Sequence, residues 1–274
     1  MPFAHLTRSL LRSLLRIEPG EGLRAGLMLL YSVAAVGGVV ITGQLAGRVL
    51  FISTLPSADI PYKYMLPPLV LMLTTALYAR IAPRFRRDRL ILGCSALMLA
   101  GVLVFRLLLE TGWRQEFVLL CALFAFFNVV VMIVVLQMWT LAGDLFNPRE
   151  ARRLFGLIAA GSTLSNVIFG ALLSWFAKQV DPADLLFVMA AGLVCSALCV
   201  GVLGYCCREA LETTAEPERQ HHASTEENSI LGTFRAMLQS PLLVSLAAIV
   251  ILVDLVSRIA DYQLDLALQD HYGG

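Results

Sequence analysis

Four charged residues near the C-terminal end of the chain have the spacing of one helical face. They are Asp254, Arg258, Asp261 and Asp265, which are four, three and four residues apart. This spacing places all four along one stripe of a helix. Because twelve apolar residues precede Asp254, a buried carboxylate there would pair with Arg258 or exchange protons. The stripe predicts a water-filled path through an apolar environment, and the alternative is a helix end with ordinary surface charges.

Polar residues near the N-terminal end form a second face. In a helix, Gly37, Gln44 and Arg48 lie along one line. The guanidinium of Arg48 is suited to bind an anionic group of a small solute, and the alternative is that it extends towards the polar boundary of a membrane. Gly43 and Gly47 are four residues apart, which predicts close packing against another helix.

A third face contains small and polar side chains at steps of four residues: Ser162, Asn166, Gly170 and Ser174. This pattern favours close helix packing, with Asn166 forming a hydrogen bond across the interface. The alternative is that this face lines a cavity. Asn128 and Gln137 lie on opposite faces of their own helix, so at most one of them is expected to face a cavity.

The sequence also contains residues placed to form ion pairs. Three basic residues and two acidic ones cluster within ten positions: Arg149, Arg152, Arg153, Asp144 and Glu150. We expect this cluster to form a salt-bridge latch and an anchor to lipid phosphate rather than a solute site. Asp261 is assigned to the same structural and gating group. Arg106 and Glu110 are four residues apart and predict a structural pair.

The composition indicates the environment in which these groups lie. Apolar residues make up 58% of the chain, charged residues make up 15%, and the mean hydropathy is +0.76. Soluble domains contain about 45–50% apolar residues and about 25% charged residues. We therefore expect an integral membrane protein. Water-soluble enzymes and nucleic-acid-binding proteins are excluded. No metalloprotease motif and no Ser/His/Asp grouping is present, so we expect no catalytic site, no metal and no cofactor.

Long uncharged runs predict the fold. A membrane-spanning helix needs about 20 apolar residues. Runs of this kind occupy residues 25–47, 64–79, 90–109, 117–141, 154–177 and 185–207. The second run is shorter and contains Pro67 and Pro68, and a tilt or kink would extend it. A seventh apolar run begins at Pro241. The fold class is therefore all-α, with a six-helix membrane bundle followed by a seventh helix.

The distribution of basic residues predicts the orientation. Fifteen of the 21 Lys and Arg residues lie in the N-terminal segment and in the connections after the second, fourth and sixth spans. Five lie in the alternate connections. Because basic segments resist translocation, we expect a multi-pass protein of the inner or plasma membrane with a cytoplasmic N-terminus.

Four segments follow from this organisation. We expect a basic amphipathic cytoplasmic segment at 1–20, a six-span bundle at 21–207, a polar cytoplasmic linker at 208–240, and the first span of a truncated second half at 241–274. Six spans, a long loop and a further span are the organisation of transporters built from two six-helix halves. The expected partners are the lipid bilayer and the missing C-terminal half of the same chain.

Two motifs resemble those of a known family. Residues 145–161 read LFNPREARRLFGLIAAG, and residues 260–264 read ADYQL. The first resembles the connection between spans 4 and 5 of the ATP:ADP antiporter (nucleotide transporter) family, and the second resembles its Asp-Tyr-Gln-Phe motif on span 7. The resemblance implies a twelve-helix fold of the major facilitator type and the exchange or uptake of nucleotides. The chain departs from the family in its lysines, because only Lys63 and Lys178 are present, both in outer connections. Arginines would have to hold the phosphates.

The leading hypothesis is a secondary transporter that moves an anionic solute, such as a nucleotide in ATP/ADP exchange, by alternating access. The residues expected to bind the solute are Gln44, Arg48, Asn166, Asp254 and Arg258. A second hypothesis is a membrane sensor or scaffold that keeps the transporter fold without transport. A third, an intramembrane enzyme, lacks a catalytic motif to support it.

Overall fold

A computed structural model of the protein describes residues 22–54, 60–82, 85–111, 117–176, 181–206 and 239–272. This part of the chain forms seven long helices. Helix α1 consists of Gly22–Val33, the π-helical segment Ala34–Ile41, and Thr42–Thr54. The others are α2 (Ile60–Ile81), α3 (Arg87–Glu110), α4 (Phe117–Leu145), α5 (Pro148–Phe176), α6 (Leu185–Cys206) and α7 (Pro241–Tyr272). A short 3-10 helix, Pro182–Asp184, precedes α6.

Six of these helices are long and apolar enough to cross a membrane. Helix α2 differs, because its apolar part, Pro67–Ile81, is shorter. Pro67 and Pro68 both lie inside α2, although each lacks a backbone donor. The predicted all-α membrane fold is confirmed. The amphipathic segment expected at 1–20 and the linker expected at 208–240 lie outside the described residues, apart from positions 239 and 240.

Helix α1 lies at the centre of the bundle. It contacts α4, α5 and α6, whereas α2 packs on α4 and α3 packs on α6. Ala35, Val39 and Leu50 of α1 are fully buried. Because α1 touches three neighbours, its shape decides how those neighbours are spaced.

The middle of α1 is the π-helical segment, Ala34–Ile41, which is buried along almost its whole length. Hydrogen bonds in a π-helix run from i to i+5 instead of i+4, and buried carbonyl groups need donors. Two hydroxyl groups supply additional donors here. The Thr42 hydroxyl donates to the carbonyl oxygen of Gly37 at 3.1 Å, and the Ser165 hydroxyl of α5 donates to the carbonyl oxygen of Val33 at 3.0 Å. The second bond joins α5 to the residue that directly precedes the π-helical segment.

Glycines allow the π-helical segment to approach two helices. Gly38 faces Gly192 of α6, and a Cβ added to Gly192 would lie 2.6 Å from the carbonyl carbon of Gly38. A Cβ added to Gly37 would overlap Phe169 and Ser165 of α5. The missing side chains therefore let α1 contact the backbone of α6 and the side chains of α5 at one level.

The predicted packing role of Gly43 and Gly47 is confirmed. A Cβ at Gly43 would lie 3.3 Å from the side chain of Met189, and a Cβ at Gly47 would lie 2.8 Å from the ring of Phe127. The prediction that Gly37 shares the face of Gln44 and Arg48 was wrong. The π-helical segment has more residues per turn, so positions before and after it do not follow the periodicity of a single α-helix.

Helix α5 packs through a different face from the predicted one. Ser165 and Leu173 are buried, whereas Asn166, Gly170 and Ser174 are exposed. One residue corresponds to a rotation of about 100° around a helix, so the exposed face is adjacent to the packing face. Packing through the predicted stripe was therefore wrong for the described bundle.

An ion-pair cluster joins the end of α3 to the start of α6. Arg106 lies 2.9 Å from the carboxylate of Glu110, which confirms the predicted pair, and 2.9 Å from that of Asp184. Its guanidinium carbon lies 5.0 Å from the centre of the Phe187 ring. Arg106 of α3 thereby contacts both α6 and the short 3-10 helix that precedes α6.

Helix α7 differs from the other helices in its burial. None of its described side chains is buried. The side chain of Asp254 is 66% exposed in the described chain, and the role predicted for it in a water-filled path stays a prediction.

We expect Gly192→Ala to destabilise the protein, because the added methyl group would meet the backbone of Gly38. Overpacking of this kind costs roughly 1–3 kcal/mol. Gly201→Ala on the same helix is the matched control, since nothing lies within 4 Å of its added Cβ. Thermal unfolding of the purified variants in detergent should show a lower Tm for Gly192→Ala only. Equal Tm values for the two variants would contradict the importance of this contact.

Candidate functional site

A polar cleft of about 320 Å³ lies where α7 meets α1 and α4. This volume is at the lower end of the roughly 300–1,000 Å³ range of small-molecule sites. Five polar side chains line the cleft: Gln44, Arg48, Asn128, Arg258 and Asp261. Its apolar lining consists of Ile41, Leu45, Phe124 and Phe127, with the backbone of Gly43 between them.

Helix α1 contributes Gln44 and Arg48, which are one turn apart on the same face. An arginine in apolar surroundings requires a counter-ion. One terminal nitrogen of Arg48 lies 2.6 Å from a carboxylate oxygen of Asp261 on α7. The two side chains are 32% and 41% exposed, so the ion pair is open to the cleft. This charge-assisted hydrogen bond connects the central helix to α7.

Helix α7 contributes a second guanidinium group to the cleft. Arg258 lines it, and the Nε atom of Arg258 lies 3.6 Å from a carboxylate oxygen of Asp254. The predicted pairing of these two residues is confirmed, although the distance is long for a hydrogen bond. The charged lining of the cleft is thus two arginines and Asp261, with a formal net charge of +1.

Helix α4 contributes an amide and two aromatic rings. The side-chain nitrogen of Asn128 donates to the carbonyl oxygen of Phe124 at 2.8 Å, which fixes the amide beside the rings of Phe124 and Phe127. Gln137 is buried elsewhere on α4, in agreement with the expectation that at most one of the two amides faces a cavity. Sequence reasoning missed both phenylalanines, and the signal that was present is the aromatic run that directly precedes Asn128.

The structure brings together three of the five residues predicted to bind a solute, namely Gln44, Arg48 and Arg258. The other two lie elsewhere: Asn166 is exposed on α5, and Asp254 contacts Arg258 without lining the cleft. Asp261, which was assigned to gating, does line the cleft. The roles of all six in binding or gating stay predictions.

Asp144 forms an ion pair that sequence spacing did not suggest. Its carboxylate accepts a hydrogen bond from Nε of Arg87 at 2.8 Å. Arg87 is the first residue of α3, whereas Asp144 lies near the end of α4. The pair therefore joins two helix ends on the side of the bundle where basic residues are concentrated.

Glu150 has a local role at the start of α5. Its carboxylate accepts a hydrogen bond from the backbone N–H of Asn147 at 3.0 Å, which is the reciprocal half of a capping box. Arg149 and Arg152 are exposed, and Arg153 is partly buried. The latch expected from these arginines stays a prediction.

The cleft combines groups that suit a phosphorylated, aromatic solute. Guanidinium groups bind phosphate oxygens through charge-assisted hydrogen bonds. The partly exposed ring of Phe124 offers a face on which a planar base stacks, whereas the ring of Phe127 is buried in the wall of the cleft. Gln44 and Asn128 supply neutral donors and acceptors for the remaining polar atoms. An anion that reaches Arg48 would also compete with Asp261 for the same guanidinium.

The contact between Arg48 and Asp261 can be measured with a double-mutant cycle. We expect Arg48→Gln and Asp261→Asn each to lower stability, and the double variant to lose less than the sum, with a coupling energy of about 1 kcal/mol. Arg258→Gln and Asp254→Asn form the matched cycle within α7, whose longer and more exposed pair should couple more weakly. The measurement is thermal unfolding in detergent. Strict additivity at Arg48 and Asp261 would contradict the contact.

Most of the chain from α3 onwards is similar to a known protein family. The family model described as "TLC ATP/ADP transporter" matches residues 101–272, which are 172 of the 274 residues. The match covers the contributions of α4 and α7 to the cleft, whereas Gln44 and Arg48 precede it. No curated protein and no solved structure matches the chain significantly. With more than half of its length matched, the chain belongs to the TLC ATP/ADP transporter family, a family of nucleotide transporters of the membrane.

Proposed function

We propose that the protein exchanges ATP and ADP across the membrane by alternating access, and that the cleft between α1, α4 and α7 holds the nucleotide. The observation that carries this proposal is the meeting of two arginines from different helices beside two phenylalanines in one cleft. The family match supports nucleotides as the solute class.

In this proposal, the charged and aromatic side chains of the cleft have different roles. Arg48 and Arg258 bind the phosphates, and Phe124 packs against the base. Asp261 holds Arg48 when no nucleotide is present, at 2.6 Å. Phosphate and Asp261 then exchange places on the guanidinium, which loosens the contact between α1 and α7 and lets the helices move. In this proposal the fold is of the major facilitator type, in which two helix bundles rock about a central site.

The test uses the complete protein in liposomes loaded with ADP and follows the uptake of labelled ATP. We expect Arg48→Gln and Arg258→Gln each to reduce counter-exchange by about ten- to a hundred-fold, because a charged hydrogen bond to phosphate contributes about 1.5–3 kcal/mol. Arg48→Lys keeps the charge and should retain part of the activity.

Arg24→Gln is the matched control, since Arg24 is exposed on α1 and does not line the cleft. Normal exchange in the cleft variants would refute the assignment of the site. If the folded wild-type protein takes up no labelled ATP, nucleotide transport is refuted. A panel of other anions would then distinguish transport of another solute from the sensor or scaffold hypothesis.

We also propose that the connections rich in arginine face the cytoplasm, on the basis of the fifteen to five distribution of basic residues. A single cysteine introduced as Arg89→Cys in a cysteine-free background should be labelled by a membrane-impermeant maleimide only after the cells are lysed. Position 89 is exposed, so the thiol is accessible to the reagent. Labelling of intact cells would place this end of the bundle outside.

A further inference from the structure

A second site lies on the surface of the bundle between two helices, away from the polar cleft. Helices α3 and α6 pack against each other, and their outer surfaces enclose an apolar groove of about 580 Å³. Its walls include Leu92 and Leu99 of α3 and Val194 and Leu198 of α6. Leu198 is 65% exposed. In a membrane-spanning bundle, such a surface meets hydrocarbon chains.

The apolar groove continues into a charged pocket at one end. This pocket has a volume of about 270 Å³ and contains Arg86, Asp88 and Arg89 at the start of α3. Leu92, Gly201 and Tyr205 line both spaces, so the two are continuous. The whole site therefore has a long apolar body and a short polar end.

The geometry of the charged pocket depends on a close approach of two helix ends. A Cβ added to Gly204 of α6 would lie 3.4 Å from the Cβ of Asp88, which is ordinary van der Waals contact, so the two helix ends are adjacent. Asp88 is 3.3 Å from the Nε atom of Arg86. Two arginines and one aspartate give the pocket a formal net charge of +1.

We propose that α3 and α6 bind one anionic phospholipid of the adjacent leaflet, with an acyl chain in the apolar groove and the phosphate on Arg86 and Arg89. Asp88 accepts a hydrogen bond from a headgroup hydroxyl, as in phosphatidylglycerol. The shape of the site and the sign of its charge both support this occupant, because a lipid is the one abundant ligand in a bilayer that is apolar along its length and negative at one end.

This lipid site does not depend on the proposed nucleotide exchange. It shares no lining residue with the cleft between α1, α4 and α7. It gives the start of α3 a function that neither the family match nor the cleft requires. Arg87, which lies between the two lipid-binding arginines, pairs instead with Asp144 of α4.

Native mass spectrometry of the complete protein tests the headgroup contacts. The protein is released from detergent after incubation with equal amounts of phosphatidylglycerol and phosphatidylcholine that have identical acyl chains. We expect the wild-type protein to retain phosphatidylglycerol preferentially. The double variant Arg86→Gln/Arg89→Gln should lower that preference about ten-fold, since each basic residue near the bilayer surface contributes measurably to anionic lipid binding. The double variant Arg24→Gln/Arg80→Gln removes two exposed arginines that line neither the groove nor the pocket and should keep the preference.

A second pair of variants tests the acyl-chain groove. Gly201→Phe places a ring where the groove meets the pocket, and nothing lies within 4 Å of the Cβ at this position. Gly156→Phe on α5 is the matched control, with equally open space around its Cβ and no place in the lining of the groove or pocket. We expect Gly201→Phe to abolish retention of the bound lipid and Gly156→Phe to leave it unchanged.

The outcomes decide the proposal in both directions. Preferential retention of phosphatidylglycerol that is weakened by the arginine variant and lost in Gly201→Phe would establish the site. Equal retention of the two lipids by the wild-type protein, or a preference that survives in both test variants, would overturn it. Nucleotide exchange is measured separately in liposomes, so failure of one proposal leaves the other to its own test.

Discussion

The structure depends on one backbone contact at the centre of the bundle. Where Gly38 of α1 meets Gly192 of α6, neither residue has a side chain, and an added Cβ would overlap the opposite backbone. Between helices in a membrane there is no hydrophobic driving force, so close van der Waals contact takes its place. The carbonyl oxygen of Val33, which directly precedes the π-helical segment, accepts a hydrogen bond from Ser165 of α5. Helices α5 and α6 are therefore positioned by the π-helical segment, and α3, which packs on α6, is positioned through it.

Helix α7 is attached by a different kind of interaction. No described side chain of α7 is buried, whereas Asp261 makes an ion pair of 2.6 Å with Arg48 of the central helix. Because both side chains are partly exposed, another anion can reach Arg48 and compete with Asp261. The bundle thus combines a close backbone contact around Gly38 with a partly exposed polar contact at the cleft. This division fits the proposal that the helices move past one another during transport.

The sequence predicts the positions of the helices better than it predicts which helix faces pack together. Hydropathy predicted the seven described helices, and the four-residue spacing correctly predicted the packing of Gly43 and Gly47, because these patterns are local. The packing face of α5 was assigned one residue away from Ser165, because most small and polar residues of that helix lie outside its buried face. Neither the π-helical segment nor the partner of Asp261 follows from spacing, because each depends on which distant helix is adjacent. The position of Phe124 and Phe127 in the lining of the cleft likewise depends on how α4 and α7 lie together.

The π-helical segment determines which way the residues that follow it in α1 face. A π-helical turn is equivalent to one residue inserted into an α-helix, so the segment sets the angular phase of everything that follows it. If the same residues, Ala34–Ile41, formed regular α-helix with none deleted, the remainder would rotate by about 100° for each inserted residue no longer accommodated. Gln44 and Arg48 would then turn away from the cleft, although neither had been altered. The polar face of α1 is therefore encoded by a count of residues as well as by their identities.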